Sequence, residues 1–363
     1  MCRKIFIAAT GQNCGKTTIS LSLMHLARKK YGRVGFIKAI GPKRTTMNGV
    51  VMDKDAALMA KIHGLEEDIN WMSPVVLDRE FTRRFLDGEI SPEEPMERIM
   101  EACRQLEKKN DFLIIEGSGH GGVGSVIGLS NARVASMLGA PAIMVAGGGV
   151  GNVVDGVQLN LALFRQEQAD IRLVLVNKLI PEKREMSLNY LRKAFDPINL
   201  RVEGAFNYSP VLANPTLSHI SSLLEHPLRG DLSQKNRIIN HIQLGAASSQ
   251  KVIDSLEDST LLVTTSSRDE LIVTVSSLYH IPAYRDKIAG LVIPGHAPVS
   301  AITRKILDDS HIPYIRIHET TADVFSAINY HVSKIGADDE EKIAMVRSSA
   351  EAEIDFDAID ALL

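Results

Sequence analysis

AATGQNCGKTTIS, residues 8–20, follows the apolar run Ile5, Phe6 and Ile7 and leads into an amphipathic helical pattern over residues 16–30. Gly15-Lys16-Thr17 is the strict half of a phosphate-binding P-loop signature. In such a loop the backbone amides at a helix N-terminus face phosphates, the lysine reaches the outer ones, and the threonine hydroxyl is offered to Mg²⁺. The half before it is irregular, with Thr10 where the usual first glycine stands and Gly11 one place later. Strand, loop and helix still follow in the required order. The plain alternative is a glycine-rich turn with an ordinary lysine.

Outward from this loop, short apolar or β-branched runs alternate with helical patterns. Strands are expected to start at Lys4, Arg33, Phe112, Ala142, Arg172 and Val202, with helices over 16–30, 95–108, 155–166 and 184–193. That alternation predicts an α/β fold, a P-loop NTPase with a mostly parallel, doubly wound sheet. Ligands of such sheets sit outside the C-terminal strand ends, and the unusual residues collect there. Lys38 ends the second strand, either as a solvated lysine or aimed at the ligand edge. Asp53, Lys54 and Asp55 open a helix; Asp55 is expected to serve as N-cap, as an oxygen ligand for Mg²⁺ near Thr17, or as both. Glu116 ends the apolar strand Leu113-Ile114-Ile115, where a Walker B acid sits across from the phosphates. His120 lies in the glycine-rich run that follows, and is read equally well as a proton shuttle or as an exposed loop histidine. Asn177 ends another strand with an amide able to read a base edge. Ile180 stands where a guanine-reading aspartate would be, which favours adenine.

The chain's 363 residues are enough for two domains with proper cores. With 41 Lys+Arg against 44 Asp+Glu and no basic run, neither a nucleic-acid nor a membrane surface is expected. Cys2, Cys14 and Cys103 are odd in number and lack metal-ligand spacing, which points to a reducing cytoplasm. The N-terminus runs straight into a strand. The apolar stretch around 141–154 is broken by Gly147, Gly148, Gly149 and Gly151, so a soluble protein is expected.

After Pro215 the composition changes, and the first domain, 1–225, is expected to end near 225–230. A second, smaller α/β domain is expected over 230–335. Its strands fall near 238–244, 260–264, 288–293 and 314–317, and its helices near 248–256, 270–278 and 300–308. Residues 336–363 read as a helical tail with an acidic start. His318-Glu319 is not a zinc motif, because Ala322 stands where the second histidine belongs.

Taken as a set, the P-loop, Lys38, Asp55, Glu116-Gly117 and Asn177 resemble the dethiobiotin synthetase-like branch of P-loop proteins, which includes the cobyrinate amidases. Residues 36–41 and 208–216 bring the chain closer to the corresponding N-terminal region of long bacterial phosphate acetyltransferases. The resemblance implies that Asn13, Cys14, Gly15, Lys16, Thr17 and Thr18 hold the phosphates of ATP and that Asn177 holds its adenine. It further implies that Thr17, Asp55 and Glu116 bind Mg²⁺, and that Lys16, Lys38 and Glu116 are catalytic. Lys38 would stabilise charge on a phosphoryl group and its acceptor. The second domain resembles the DRTGG domain through residues 264–269 and 289–295, with Pro294-Gly295-His296 in place of the Thr-Gly-Gly turn. That likeness implies a regulatory or dimerising unit, and hence a homodimer.

Departures from these families narrow the expectation. Residues 38–42, Lys-Ala-Ile-Gly-Pro, lack the hydroxyl that touches the biotin precursor. Gly11, Gln12 and Asn13 lack the second lysine of partition and septum-site ATPases. No cysteine follows Cys103, so a glutaminase nucleophile is missing. The chain ends where an acetyltransferase domain would begin, so acetyl phosphate synthesis is not expected. Two readings remain. One is a Mg-ATP-binding regulator with weak ATPase activity, acting on a partner enzyme. The other is an ATP-dependent ligase that phosphorylates a small carboxylate or carbamate, with Lys38, His120 and residues 117–124 as its acceptor pocket.

Overall fold

In the computed structural model, which describes residues 2–330 and 335–363, the chain forms two units. The first comprises Met1–Tyr208 and Glu340–Leu363, the second Ser209–Asp339.

The first unit is built on a six-stranded sheet, all parallel. In chain order its elements are β1 (Arg3–Ala9), α1 (Lys16–Lys30), β2 (Val34–Lys38), α2 (Lys54–His63), α3 (Glu93–Lys109) and β3 (Phe112–Glu116). These are followed by α4 (Asn131–Met137), β4 (Ala142–Gly147), α5 (Val150–Gln166), β5 (Ile171–Asn177), α6 (Arg184–Phe195) and β6 (Arg201–Gly204). The strands lie in the order β6-β5-β4-β1-β3-β2. Phe6, Ile7, Leu113, Ile114, Met144 and Val174 are buried, as strands covered on both faces require. Each such side chain contributes about 1.5–3 kcal/mol of burial. β1 is central, and the strand order reverses beside it, so the loop after β1 opens at the switch point where ligands of such sheets bind.

The expected strands and helices are present, with ends shifted by a few residues. The 155–166 helix begins earlier, at Val150, with the extended Gly149 as its N-cap. An antiparallel hairpin, Arg44–Met47 with Val50–Asp53, was not expected. Its turn, Asn48-Gly49, has positive φ at both residues (48° and 80°), as a two-residue hairpin connection demands.

The second unit carries a four-stranded parallel sheet. Its elements are β7 (His241–Leu244), α7 (Ser249–Asp254), β8 (Thr260–Val263), α8 (Asp269–Leu278), β9 (Ile288–Ile293), α9 (Ala301–Asp309), β10 (Tyr314–Arg316) and α10 (Thr321–Asn329). The strand order is β7-β8-β9-β10. Residues 331–334, at the end of the expected second domain, lie outside the described residues. From Glu340 the chain rejoins the first unit as α11 (Glu340–Glu353) and α12 (Phe356–Asp360), and α11 packs along α1.

Candidate functional site

The P-loop is shaped by two left-handed residues, Asn13 (φ 59°) and Gly15 (φ 93°), the latter immediately before α1. A Cβ at residue 15 would lie 2.2 Å from Asn177 Nδ2, so only glycine fits. The C-terminal end of β5 braces the loop. Asn177 Nδ2 donates to the Cys14 carbonyl at 3.0 Å, and Lys178 Nζ donates to the Asn13 carbonyl at 2.8 Å. The Cys14 thiol lies 3.6 Å from Thr10 Oγ1. Thr17 and Thr18 occupy the first turn of α1.

Lys16 crosses from the P-loop to the glycine-rich loop after β3, donating to the Gly119 carbonyl at 2.6 Å and to that of Gly11 at 3.5 Å. Burial pushes its ammonium below the ordinary lysine value; Glu116 opposes this, and Lys38 adds to it.

Lys38 and Glu116 are paired residues on adjacent strands, β2 and β3. Lys38 Nζ donates to Glu116 Oε1 at 2.6 Å, to the Gly117 carbonyl at 3.0 Å and to Asp55 Oδ2 at 3.2 Å. All three ammonium protons therefore have acceptors. Burial works against this charge, but the carboxylates of Glu116, Asp55 and Asp53 outweigh it and hold Lys38 above its ordinary value. Thr17 Oγ1 donates to Glu116 Oε1 at 3.4 Å. The other oxygen of Glu116, Oε2, is buried without a hydrogen-bond partner.

The helix cap is Asp53, not Asp55 as expected. Asp53 Oδ1 accepts from the Asp55 amide at 2.8 Å, and Oδ2 accepts from the Lys43 amide at 2.8 Å. Relieved of capping, Asp55 faces Lys38. Burial and the neighbouring Asp55 charge raise Asp53 above the usual carboxylate range.

The structure thus brings Lys16, Thr17, Lys38, Asp55 and Glu116 into one cluster and sets Asn177 beneath the P-loop. His120 is exposed, its Nδ1 accepting from the Gly122 amide at 3.2 Å. Two residues that shape the loop after β3 escaped the sequence reading. Buried Asn131 accepts from the Ser118 amide at 3.0 Å and donates to the Ser118 and His120 carbonyls, both at 2.6 Å. Asn160 Oδ1 accepts from the Gly121 amide at 2.7 Å. The only sequence signal is a pair of amide side chains, one opening α4 and one inside α5.

Orphaned Glu116 Oε2, the Thr17 hydroxyl and Asp55 form a hard-oxygen donor set suited to Mg²⁺. Among the described residues, no group of three or more His, Cys, Asp or Glu side chains is arranged to hold a metal, so such a site needs the threonine. No helix of the described residues is long and apolar enough to cross a membrane.

Comparison with known proteins gives a consistent family assignment. The AAA domain family (AAA_26) matches residues 3–216, and the DRTGG domain matches residues 226–331. Phosphate acetyltransferase of Pseudomonas putida is 24% identical over 365 residues, covering 96% of this chain and 50% of that protein. The chain therefore spans about half the length of that relative. ATP-dependent dethiobiotin synthetase BioD of Clostridium botulinum (strain Langeland) is 26% identical over 205 residues, covering 53% of this chain and 88% of that protein. Among solved structures, the MinD cell division protein of Aquifex aeolicus matches with a TM-score of 0.34 and 16% identity, covering 58% of this chain and 84% of that one. The parallel sheet, the loop after β1 and the span of residues 3–216 agree: the chain belongs to the AAA domain family of P-loop proteins, with a DRTGG domain following.

Proposed function

We propose that the first unit binds Mg-ATP and that the chain acts through this binding as a regulator, with slow hydrolysis. The observation that carries the reading is the buried Glu116 Oε2 without a partner, beside the Thr17 hydroxyl and across from the P-loop lysine. A carboxylate oxygen in that position calls for a cation. Thr17, Glu116 and Asp55 would hold Mg²⁺, which would neutralise phosphate charge. The amides of Asn13, Cys14 and Gly15 and those opening α1, including Thr18, would face the phosphates. Lys16 would exchange the Gly119 carbonyl for a phosphate oxygen. Asn177 keeps Nδ2 on the loop and has its carbonyl oxygen left for an adenine amino group.

Lys38 favours regulation over transfer. Its three donors are committed to Glu116, Asp55 and Gly117, so a phosphoryl group in flight would have to break one of these bonds to reach it. The second unit would receive the signal and form a homodimer or meet a partner enzyme. One observation favours the second reading, a ligase acting on a small carboxylate or carbamate: Asn131 and Asn160 hold the loop after β3 rigidly, as a preorganised acceptor pocket requires.

The deciding experiment is calorimetric titration with ATP and GTP in the presence of Mg²⁺, followed by phosphate release, on wild type and Lys16→Ala. The expected outcome is ATP binding lost in Lys16→Ala, no GTP binding, and slow release. Release accelerated by small carboxylates or carbamates would favour the ligase. Absence of nucleotide binding would overturn both readings.

A further inference from the structure

At the C-terminal ends of β7 to β10, backbone hydrogen bonds join the loops of the second unit. The Gly245 amide donates to the Val263 carbonyl at 2.8 Å, Ser266 to Pro294 at 2.7 Å, and Gly295 to Glu319 at 2.8 Å. This is the edge at which parallel sheets hold ligands, and three features set it apart from an ordinary loop cluster.

The first is charge. Both Nη nitrogens of Arg316 donate to carbonyls, those of Ile293 (3.0 Å), Ile317, Gly295 (2.7 Å) and Ala297 (2.9 Å), yet among the described residues no carboxylate pairs with it. Arg304, exposed on α9, likewise makes no ion pair among the described residues; burial, and after it the like charge of Arg304, holds Arg316 below its ordinary value. Arg268 differs: its charge is matched by Glu270 at 2.7 Å. Guanidinium groups without a counter-charge at one sheet edge favour an anion there.

The second feature is a set of unpaired hydroxyls. Thr264 Oγ1 and Ser266 Oγ are buried without a hydrogen-bond partner, on residues each 1% exposed. Buried hydroxyls of this kind are normally satisfied, and here Thr264 and Ser266, with one residue between them, share one strand-end loop. The third is close backbone approach. Gly295 has φ 119°, and a Cβ there would lie 2.7 Å from Ser266 Oγ and 3.1 Å from Thr265 Oγ1, so the hydroxyls face bare backbone.

We propose that this edge of the second unit binds a phosphate-bearing small molecule through the Nε–H of Arg316, whose Nη donors are held by the four carbonyls, together with Arg304 and the hydroxyls of Thr264, Thr265 and Ser266. Phosphate oxygens only accept hydrogen bonds, which suits a set of guanidinium and hydroxyl donors. The same chemistry is offered by free pyrophosphate and by a nucleotide. The site is independent of the P-loop and does not rest on ATP binding there.

The test is calorimetric titration of the full chain carrying Lys16→Ala with pyrophosphate and, separately, with ADP, together with amide exchange over residues 264–268 and 294–297. Saturable pyrophosphate binding is expected, with protection of those amides. Arg316→Lys should weaken it about tenfold or more, and Arg304→Ala several-fold. Binding of ADP alone, with the same sensitivity to both substitutions, supports the site and assigns it to a nucleotide. Should Arg316→Lys fail to fold, the exposed Arg304→Ala decides. Failure of both ligands to bind, or binding indifferent to the arginine substitutions that fold, overturns the proposal.

Discussion

Lys38 is 2% exposed, with Glu116 and Asp55 on its ammonium. Removing one member of such a cluster leaves uncompensated charge in the interior, whatever the net worth of the intact cluster. Lys38→Met is therefore expected to lower the unfolding free energy by roughly 3–5 kcal/mol in urea titrations. Since Lys38 is held above its ordinary 10.5, its contribution is complete at every pH below that and lost only in strong alkali. His63 supplies the acid dependence instead. It is buried at the end of α2, its Nε2 has no partner, and Arg28 donates to its carbonyl at 2.5 Å. Burial, then the positive charges of Arg28, Arg347 and His25, push its imidazole from 6.5 to about 3. Between those values the unfolded chain takes up a proton that the folded chain refuses, so stability is full above 6.5 and falls as the pH drops toward 3. From about pH 7.5 to 5 the loss should be about 2 kcal/mol. A His63→Gln variant should lose this part of the pH slope; an unchanged slope would mean that His63 is protonated in the folded protein.

At the scale of elements, α11 and α12 cover the side of the first unit formed by α1 and the start of β3. Phe356 is 8% exposed, its ring edge-on to Phe112 at 5.8 Å, and Phe112 in turn lies 5.0 Å from the Tyr31 ring. By contrast, Glu351 reaches His25 at 2.6 Å and Lys29 at 2.5 Å from an exposed position. The apolar contact should dominate: Phe356→Ala is expected to lose about 3 kcal/mol or more in chemical denaturation. Glu351→Ala should leave the midpoint unmoved, since exposed pairs contribute little. How much of this was legible depends on the range of the interaction. Gly15-Lys16-Thr17 and the end of β3 could be read because their chemistry is local, a strand feeding a loop or ending in a carboxylate. The Asn48-Gly49 turn is local as well, an Asn-Gly pair of the kind that closes a two-residue hairpin. The choice of Asp53 over Asp55 as cap was not legible. Both carboxylates open the helix, and what separates them is the Lys43 amide on one side and Lys38, from another strand, on the other. Asn131 and Asn160 were hidden for the same reason, as they bond a loop 10 or more residues earlier in the chain. The packing of α11 on α1 joins residues more than 300 apart, as His25 and Glu351 are, and no periodicity reports such a pairing.

For the whole molecule, the first unit is discontinuous, with Ser209–Asp339 forming the second unit between its two parts. A fragment that stops at residue 225, where the first composition change suggests a boundary, lacks Ile343, Val346, Ala350, Ile354, Phe356 and Ile359, all buried in the complete chain. It also lacks Asp360, which accepts from the Tyr31 hydroxyl at 2.8 Å and pairs with Lys30 at 2.8 Å. Six buried apolar side chains at about 1–3 kcal/mol each match or exceed the 5–15 kcal/mol by which a domain is usually stable. Residues 1–225 alone should therefore be unfolded or rapidly degraded by protease. A chain joining residues 1–208 to 340–363 through a flexible glycine-serine linker should restore a cooperative thermal transition. A cooperative melt of the 1–225 fragment matching that of the joined chain would show that α11 and α12 decorate the first unit without completing it. Loss of structure in the fragment alone would make them part of its core, with the helix from Glu340 completing the packing of the helix that begins at Lys16.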